Sequence, residues 1–308
     1  MATKNLYILD ATGETFIVGG DADGRASDAL KLGGKAPEYY IQPRNLLDNS
    51  DFTNPVNQRG QTSYSAAGYT IDRWKTIGAL SVTVDDGCIT LENTGSSVLR
   101  LDQGIPLEKV QSGNTYTVAV CTKDGRIRCG SFSLSTTAAA PVSESDFYIH
   151  VVLSYTVATV QLRQRAGCKT SYEWIALYEG SYTADTLPPY VPKGYTAELA
   201  ECQRYYRRSF NGEVKNISYV GTPIVIAANT TSLQTIIFDM PMRVAPTVTT
   251  YGYKNKQVNS VSDWVADADI TNTKISYVSS HGFTVGTDTP VFTTNKAYCF
   301  HYEASADL

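Results

Sequence analysis

Tyr116-Thr117-Val118-Ala119-Val120-Cys121-Thr122-Lys123-Asp124-Gly125-Arg126-Ile127-Arg128-Cys129-Gly130-Ser131-Phe132-Ser133-Leu134 is the stretch on which the fold turns. Tyr116, Val118 and Val120 recur at every second position, so they share one face of an extended strand. Lys123 to Arg126 carries the Asp-Gly pair that reverses a chain tightly, and Ile127 and Cys129 lead back. The spacing then predicts a one-residue slip at Gly130, a β-bulge, after which Phe132 and Leu134 continue the inward set. A period of two cannot be satisfied by a helix, so this segment is an antiparallel hairpin.

The same pattern recurs on both sides. Leu80, Val82 and Val84 alternate with polar residues, Asp85-Asp86-Gly87 turns, and Ile89 and Leu91 resume. Further strands are expected at Phe147-Ile149-Val151-Leu153, at Ala158-Val160-Leu162 and at Tyr172-Trp174-Ala176-Tyr178. After Leu187-Pro188-Pro189-Tyr190-Val191-Pro192, a stiff linker that cannot donate to a ladder, one helical pattern follows. Thr196 is placed to cap it, Leu199, Cys202, Tyr206 and Phe210 form its apolar stripe, Arg204, Arg207 and Arg208 crowd its C-terminal end, and Asn211-Gly212 stops it. Beyond it, strands are expected over 223–228, 233–239, 246–253, 274–278, 283–285 and 291–302. The fold class is therefore all-β: two antiparallel β-sandwich, jelly-roll-like domains joined by a short α-helix, preceded by an extended N-terminal arm. The divisions fall at 1–43 for the arm, 44–190 for the first sandwich and 191–308 for the helix and second sandwich.

Composition restricts function. Charged residues are 18% of the 308, below the usual figure of roughly 25%, and Tyr (21) outnumbers Phe (9) and Trp (3) together. The net charge of −4 provides no general field for phosphate backbones, so nucleic acid is not expected as a partner. The apolar stretch Leu6–Leu9 is too short for a secretion signal, and the uncharged stretch 216–238 is broken by Pro223 and polar residues, so no membrane insertion is expected. The six cysteines form no CxxC pair and read as reduced thiols.

No nucleophile elbow, HExxH, P-loop or dinucleotide glycine pattern occurs, and no catalytic residue, metal or cofactor is expected. Asp21-Ala22-Asp23-Gly24 has part of a calcium loop but lacks its distal Glu, and reads as a solvated turn. Asp263, Asp267 and Asp269 could form a calcium or glycosidase group, although a polar loop is the simpler account. Tyrosine, with an apolar face and a hydroxyl, suits stacking on sugar rings. The candidate glycan-binding residues are accordingly Tyr251, Tyr253, Asn255, Gln257, Asp263 and Trp264, where aromatic and polar side chains crowd together.

Several motifs together resemble phage and prophage tail-fibre proteins. Leu30 to Tyr40, with Leu32-Gly33-Gly34 and Tyr39-Tyr40, is similar to the joint ahead of their distal modules. Asn45 to Phe52, Pro55 to Gly60 and Tyr69 to Trp74 resemble the opening of their carbohydrate-binding-module-like jelly roll. Glu198 to Tyr206, Pro241 to Val248 and the ending Ala304 to Leu308 are also similar to theirs, and the first 25 residues depart from the pattern. The resemblance implies a receptor-binding protein of a virion tail, made in the host cytoplasm. It further implies a homotrimer that binds a bacterial surface polysaccharide with its tip and other tail proteins through its arm. Within it, Asp72-Arg73-Trp74 is expected to hold an internal arginine–carboxylate pair, and Gln203-Arg204-Tyr205-Tyr206 an aromatic seam between the domains. A structural tail or baseplate connector and a glycan depolymerase are the alternatives.

Overall fold

Alternating hydrophobicity produces strands almost everywhere in the computed structural model. It describes residues 43–210 and 224–307, together with the backbone of an antiparallel pair near the N-terminus, β1 (Leu6–Leu9) and β2 (Thr15–Val18). The Asp21–Gly24 turn, the Leu30–Tyr40 joint and the Asn211-Gly212 stop lie outside the described residues.

The first sandwich contains β3 (Ser63–Tyr64), β4 (Gly68–Tyr69), β5 (Lys75–Ile77), β6 (Ser81–Asp85), β7 (Cys88–Glu92), β8 (Leu99–Pro106), β9 (Thr115–Thr122), β10 (Ile127–Ser133), β11 (Ala139–Ser143), β12 (Phe147–Leu153), β13 (Val157–Gln164) and β14 (Lys169–Glu179). They form two six-stranded antiparallel sheets, ordered β10-β9-β14-β7-β6-β3 and β11-β12-β13-β8-β5-β4. Residues such as Val82, Leu91, Val118 and Val120 from the first sheet and Leu101, Ile149, Val160 and Leu162 from the second fill one buried core between them. Burying each such side chain contributes about 1.5–3 kcal/mol, which makes the inward alternation the main determinant of register.

The expected slip at Gly130 is absent. Across β9 and β10 the register is continuous, from Ile127 opposite Cys121 to Ser133 opposite Thr115. Arg128, Gly130 and Phe132 therefore share a face with Val120, Val118 and Tyr116, while Ile127 is exposed. Gly130 serves close approach instead: a Cβ there would lie 2.0 Å from the Pro141 carbonyl oxygen on β11. The irregularity of this sheet lies on β14, between Tyr172 and Trp174. Tyr172, Ile175 and Leu177 point into the core, so the alternate set Tyr172, Trp174, Ala176 and Tyr178 is divided between two faces. Trp174 leaves the core phase to stack on Tyr190 of the linker, with centroids 4.5 Å apart and planes 1° from parallel.

The helix is shorter than expected. α1 (Tyr195–Gln203) starts after Gly194 at φ 83° with no side-chain cap, so Thr196 lies inside it, and Glu198 and Cys202 are its buried residues. The chain then turns into a strand, β15 (Tyr206–Arg208), which pairs with β24 (His301–Ser305). Arg207 and Arg208 thus stand on a strand, paired with Asp239 at 2.6 Å and Glu303 at 3.2 Å, and not at a helix C-terminus. Tertiary contacts of Tyr205 and Tyr206, described below, outweigh the helical periodicity.

The second half adds β16 (Ile224–Ile226), β17 (Ile236–Ile237), β18 (Thr247–Tyr251), β19 (Val261–Asp263), β20 (Ala268–Ile270), β21 (Lys274–Ser279), β22 (Gly282–Gly286) and β23 (Ala297–Cys299). Three short antiparallel sheets, β15-β24-β18, β16-β23-β19-β20 and β17-β22-β21, enclose a core that includes Phe238, Phe283, Phe292, Tyr298 and Phe300. All six cysteines are free thiols, and Cys88, Cys121, Cys202 and Cys299 are buried.

A charged seam joins the halves. In Asp72-Arg73-Trp74 three consecutive side chains take three partners, which Arg73 permits by adopting φ 71°. Asp72 accepts from Arg59 at 3.1 Å, Arg73 Nε donates to Asp48 at 3.2 Å, and Trp74 Nε1 donates to the Asn49 carbonyl at 2.7 Å. Arg59 also holds Asp307 at 2.9 Å and stacks 3.8 Å from the Tyr206 ring centre, while Arg73 lies 3.4 Å from that of Tyr205. Glu198 accepts the Asn49 amide at 2.6 Å. The arginine–carboxylate pair is internal, as its motif implied, but its carboxylate is Asp48 and not the adjacent Asp72.

Candidate functional site

The loop between β18 and β19 folds back onto the β19–β20 turn. Asn255 N donates to Asp269 at 2.6 Å, Lys254 Nζ meets Asp267 at 2.5 Å, and the Tyr253 hydroxyl donates to Asp267, which pushes that phenol up to about 12. Sequence-distant residues are thereby gathered at one end of the second half. Asn255, Gln257 and Trp264 are exposed there, with Tyr253 half-buried.

Two of the six expected ligand residues have other roles. Tyr251 is a core residue: it is 8% exposed, packs edge-on against Phe210 and donates its hydroxyl to Glu303 at 3.0 Å. Asp263 is buried and builds its own turn, accepting the amides of Val265 and Ala266 at 2.9 Å each and Lys296 Nζ at 2.5 Å. These contacts overcome its burial and hold its carboxyl below the usual range. Asp267 and Asp269 likewise have internal partners, so the three aspartates brace a loop.

A second polar constellation lies on the first sandwich. In the sheet β11-β12-β13-β8-β5-β4, Phe147, Ile149, Val151, Ala158, Val160, Leu162 and Leu101 face the core. The interleaved positions therefore face outward. Register aligns them: His150 is opposite Gln161, Gln161 opposite Asp102, Asp102 opposite Lys75, and Lys75 opposite Tyr69. Five polar or aromatic side chains thus run straight across five strands, a span of about 19 Å at the usual strand spacing. Beside them runs a second row, Tyr148, Arg163, Arg100 and Ile77.

Hydrogen bonding along these rows is incomplete. Arg163 donates to Gln161 Oε1 at 3.0 and 2.7 Å and reaches the Tyr148 hydroxyl at 3.5 Å. Tyr148 packs edge-on against His150, with centroids 4.9 Å apart. Arg100 Nε stands 3.1 Å from Asp102 Oδ2, an ion pair without a formed hydrogen bond. Asp102 Oδ1 and His150 Nδ1 are buried with no hydrogen-bond partner among the described residues. Burial lifts the Asp102 carboxyl to about 6 against the pull of Arg100 and Arg163, and burial with Arg163 lowers His150. A hollow of about 170 Å³, lined by Tyr69, Lys75, Asp102, Gly104 and Thr159, opens within the row, and Gly104 contributes no side chain to fill it. Asp102 brings an unpartnered carboxylate oxygen to the wall of the hollow, and an unmade bond there is a destabilisation that a hydroxylated ligand reaching it removes.

A larger cleft of about 280 Å³ lies among the turns near Lys123 and Asp146. Four of its charged side chains pair with each other, Asp124 with Arg126 at 2.5 Å and Glu144 with Arg128 at 2.8 Å, which leaves less for a ligand. The outward rows escaped the sequence because periodicity identified only their inward neighbours. Connecting His150 to Tyr69 requires the strand order.

No family model matches the chain, and no curated protein matches it.

Proposed function

We propose that the chain is a non-enzymatic glycan-binding subunit, a receptor-binding protein of the phage tail-fibre kind, and that the outward face of the first sandwich takes part in binding. The observation that carries this reading is the in-register row His150–Gln161–Asp102–Lys75–Tyr69, with the hollow that Tyr69, Lys75 and Asp102 line within it. The ordered motifs from Asn45 to Trp74 and from Glu198 to Val248 support the tail-fibre assignment. In this reading the Tyr253–Trp264 loop is a second, smaller contact, and the protein acts in the virion tail, attached to other tail proteins through its first 43 residues.

Assembly as a homotrimer belongs to the same proposal. Ile237 on β17 and Tyr277 on β21, 77% and 86% exposed, belong to one sheet and offer apolar surface to another copy. Several weak sites on one particle then act together and raise avidity by about 10²-fold or more. The same apolar surface favours a second reading, a structural connector that contacts only neighbouring tail proteins. Adsorption of the full chain to bacterial cells and to a glycan array decides between them. Loss of adsorption in a Gln161→Ala, His150→Ala variant that melts normally is the expected result; no adsorption to any surface glycan rejects the proposal in favour of the connector.

A further inference from the structure

The charges on the outward face are unbalanced. Around the two rows stand Lys75, Arg100, Arg163 and Arg165, against the carboxylate of Asp102 within them and that of Asp146 across from Arg165, in a chain whose net charge is −4. Among the described residues only Arg100 is ion-paired with Asp102. Arg163 is held by the neutral acceptors Gln161 Oε1 and Tyr148 Oη, and Arg165 by the Glu144 carbonyl and Ser143 Oγ. Both guanidinium groups flank the Tyr148 ring, at 5.7 and 4.8 Å, and Lys75 Nζ lies 5.3 Å from that of Tyr69. The nearby carboxylates have other partners: Glu144 is held by Arg128 and Asp307 by Arg59, while Asp146 accepts from the Ser145 hydroxyl at 2.7 Å. Two cationic stations, each beside an aromatic ring and with no ion-pair partner among the described residues, therefore stand on either side of Asp102, with acceptors between them.

We infer that this face binds an acidic polysaccharide, its anionic groups meeting Arg163 and Arg165 at one end and Lys75 at the other, its hydroxyls meeting Gln161 and Asp102 between. This rests on the glycan-binding reading and narrows it to a charged repeating unit. Periodic anions suit two fixed cationic stations, and Arg presents a planar fork that matches a carboxylate or phosphate. A neutral glycan would leave both stations unmatched.

The test is affinity electrophoresis of the full chain through gels containing hyaluronan, polygalacturonate or a phosphate-bearing teichoic acid, beside carboxyl-reduced hyaluronan and duplex DNA. At least one acidic polysaccharide is expected to retard the protein, with the effect abolished in high salt and weakened about tenfold or more in a K75A/R163A double variant. Asp102→Asn, which removes the opposing carboxylate, is expected to strengthen retardation, so the two variants move binding in opposite directions while melting normally. Equal retardation by the reduced polymer or by DNA overturns the inference, as does no retardation by any acidic polysaccharide. Salt-insensitive adsorption to cells that survives K75A/R163A also overturns it while leaving the glycan-binding reading intact.

Discussion

Arg73 and Tyr205, 132 positions apart in sequence, face each other across the seam with the guanidinium carbon 3.4 Å from the ring centre. Both are fully buried, and Arg73 is also bound to Asp48 and to the Gly104 carbonyl at 2.7 Å. A desolvated cation over an aromatic face contributes about 2 kcal/mol. Tyr205→Ala removes this together with the packing of a buried ring, and is expected to lower stability by about 3–5 kcal/mol. Tyr205→Phe keeps the ring and is expected to be much milder. Urea unfolding followed by tryptophan fluorescence compares them; equal losses from the two substitutions would refute a role for the stacked ring.

Asp72 makes the seam sensitive to pH. Burial lifts its carboxyl to about 7 despite Arg59, and Asp307, bound to the same guanidinium, is raised as well. Between the unfolded value near 4 and about 7, the native state holds more protons than the unfolded chain, so stability falls as pH rises through that window. Stability measured by urea unfolding is expected to be higher at pH 5 than at pH 8, by up to about 2.5 kcal/mol from Asp72 in free energy, and Asp72→Asn should reduce the difference. Asp48 acts oppositely: burial opposes its ionisation, but Arg73, Lys109 and Lys193 together hold its carboxyl below the usual range. Its contribution is lost only as pH falls below about 4, outside that window.

Gly130 and Gly125 separate two reasons for glycine. Gly130→Ala brings a methyl group against the Pro141 backbone and is expected to cost about 2–3 kcal/mol. At Gly125 a methyl group meets nothing within 4 Å, but the residue sits at φ 78°, so Ala should cost about 1–2 kcal/mol through strain alone. Thermal melting of the two variants orders them; a milder effect at Gly130 would show that β11 can move aside.

The two surfaces respond to different substitutions. Trp264→Ala and Tyr253→Ala are expected to weaken cell adsorption less than His150→Ala with Gln161→Ala. Tyr251→Phe should leave adsorption unchanged and lower stability by about 1 kcal/mol through the lost hydrogen bond to Glu303. Adsorption abolished by Trp264→Ala alone would make the loop the principal site.

Period two was legible wherever one face of a strand is dry. The Leu80–Leu91 hairpin and the inward sets of β12 and β13 appear at the positions their alternation implies. Alternation failed where a contact distant in sequence decides the conformation. Tyr190 draws Trp174 out of phase, and Arg73 and Arg59 claim the tyrosines that would have lengthened α1. The candidate loop was visible as a composition, but the burial of Tyr251 and the occupation of Asp263 depend on Glu303 and Lys296, some 50 and 30 residues away. The outward rows had no local signal, since Lys75, Asp102 and Gln161 become neighbours only through strand order.

The row from His150 to Tyr69 also behaves as a ruler. Its intervals are set by main-chain hydrogen bonds, which substitutions other than proline leave in place, so exchanging one residue changes the chemistry at one mark without displacing the others. A surface built this way can be retargeted one rung at a time. Because its groups are held before any ligand arrives, each new specificity begins with little ordering entropy to lose.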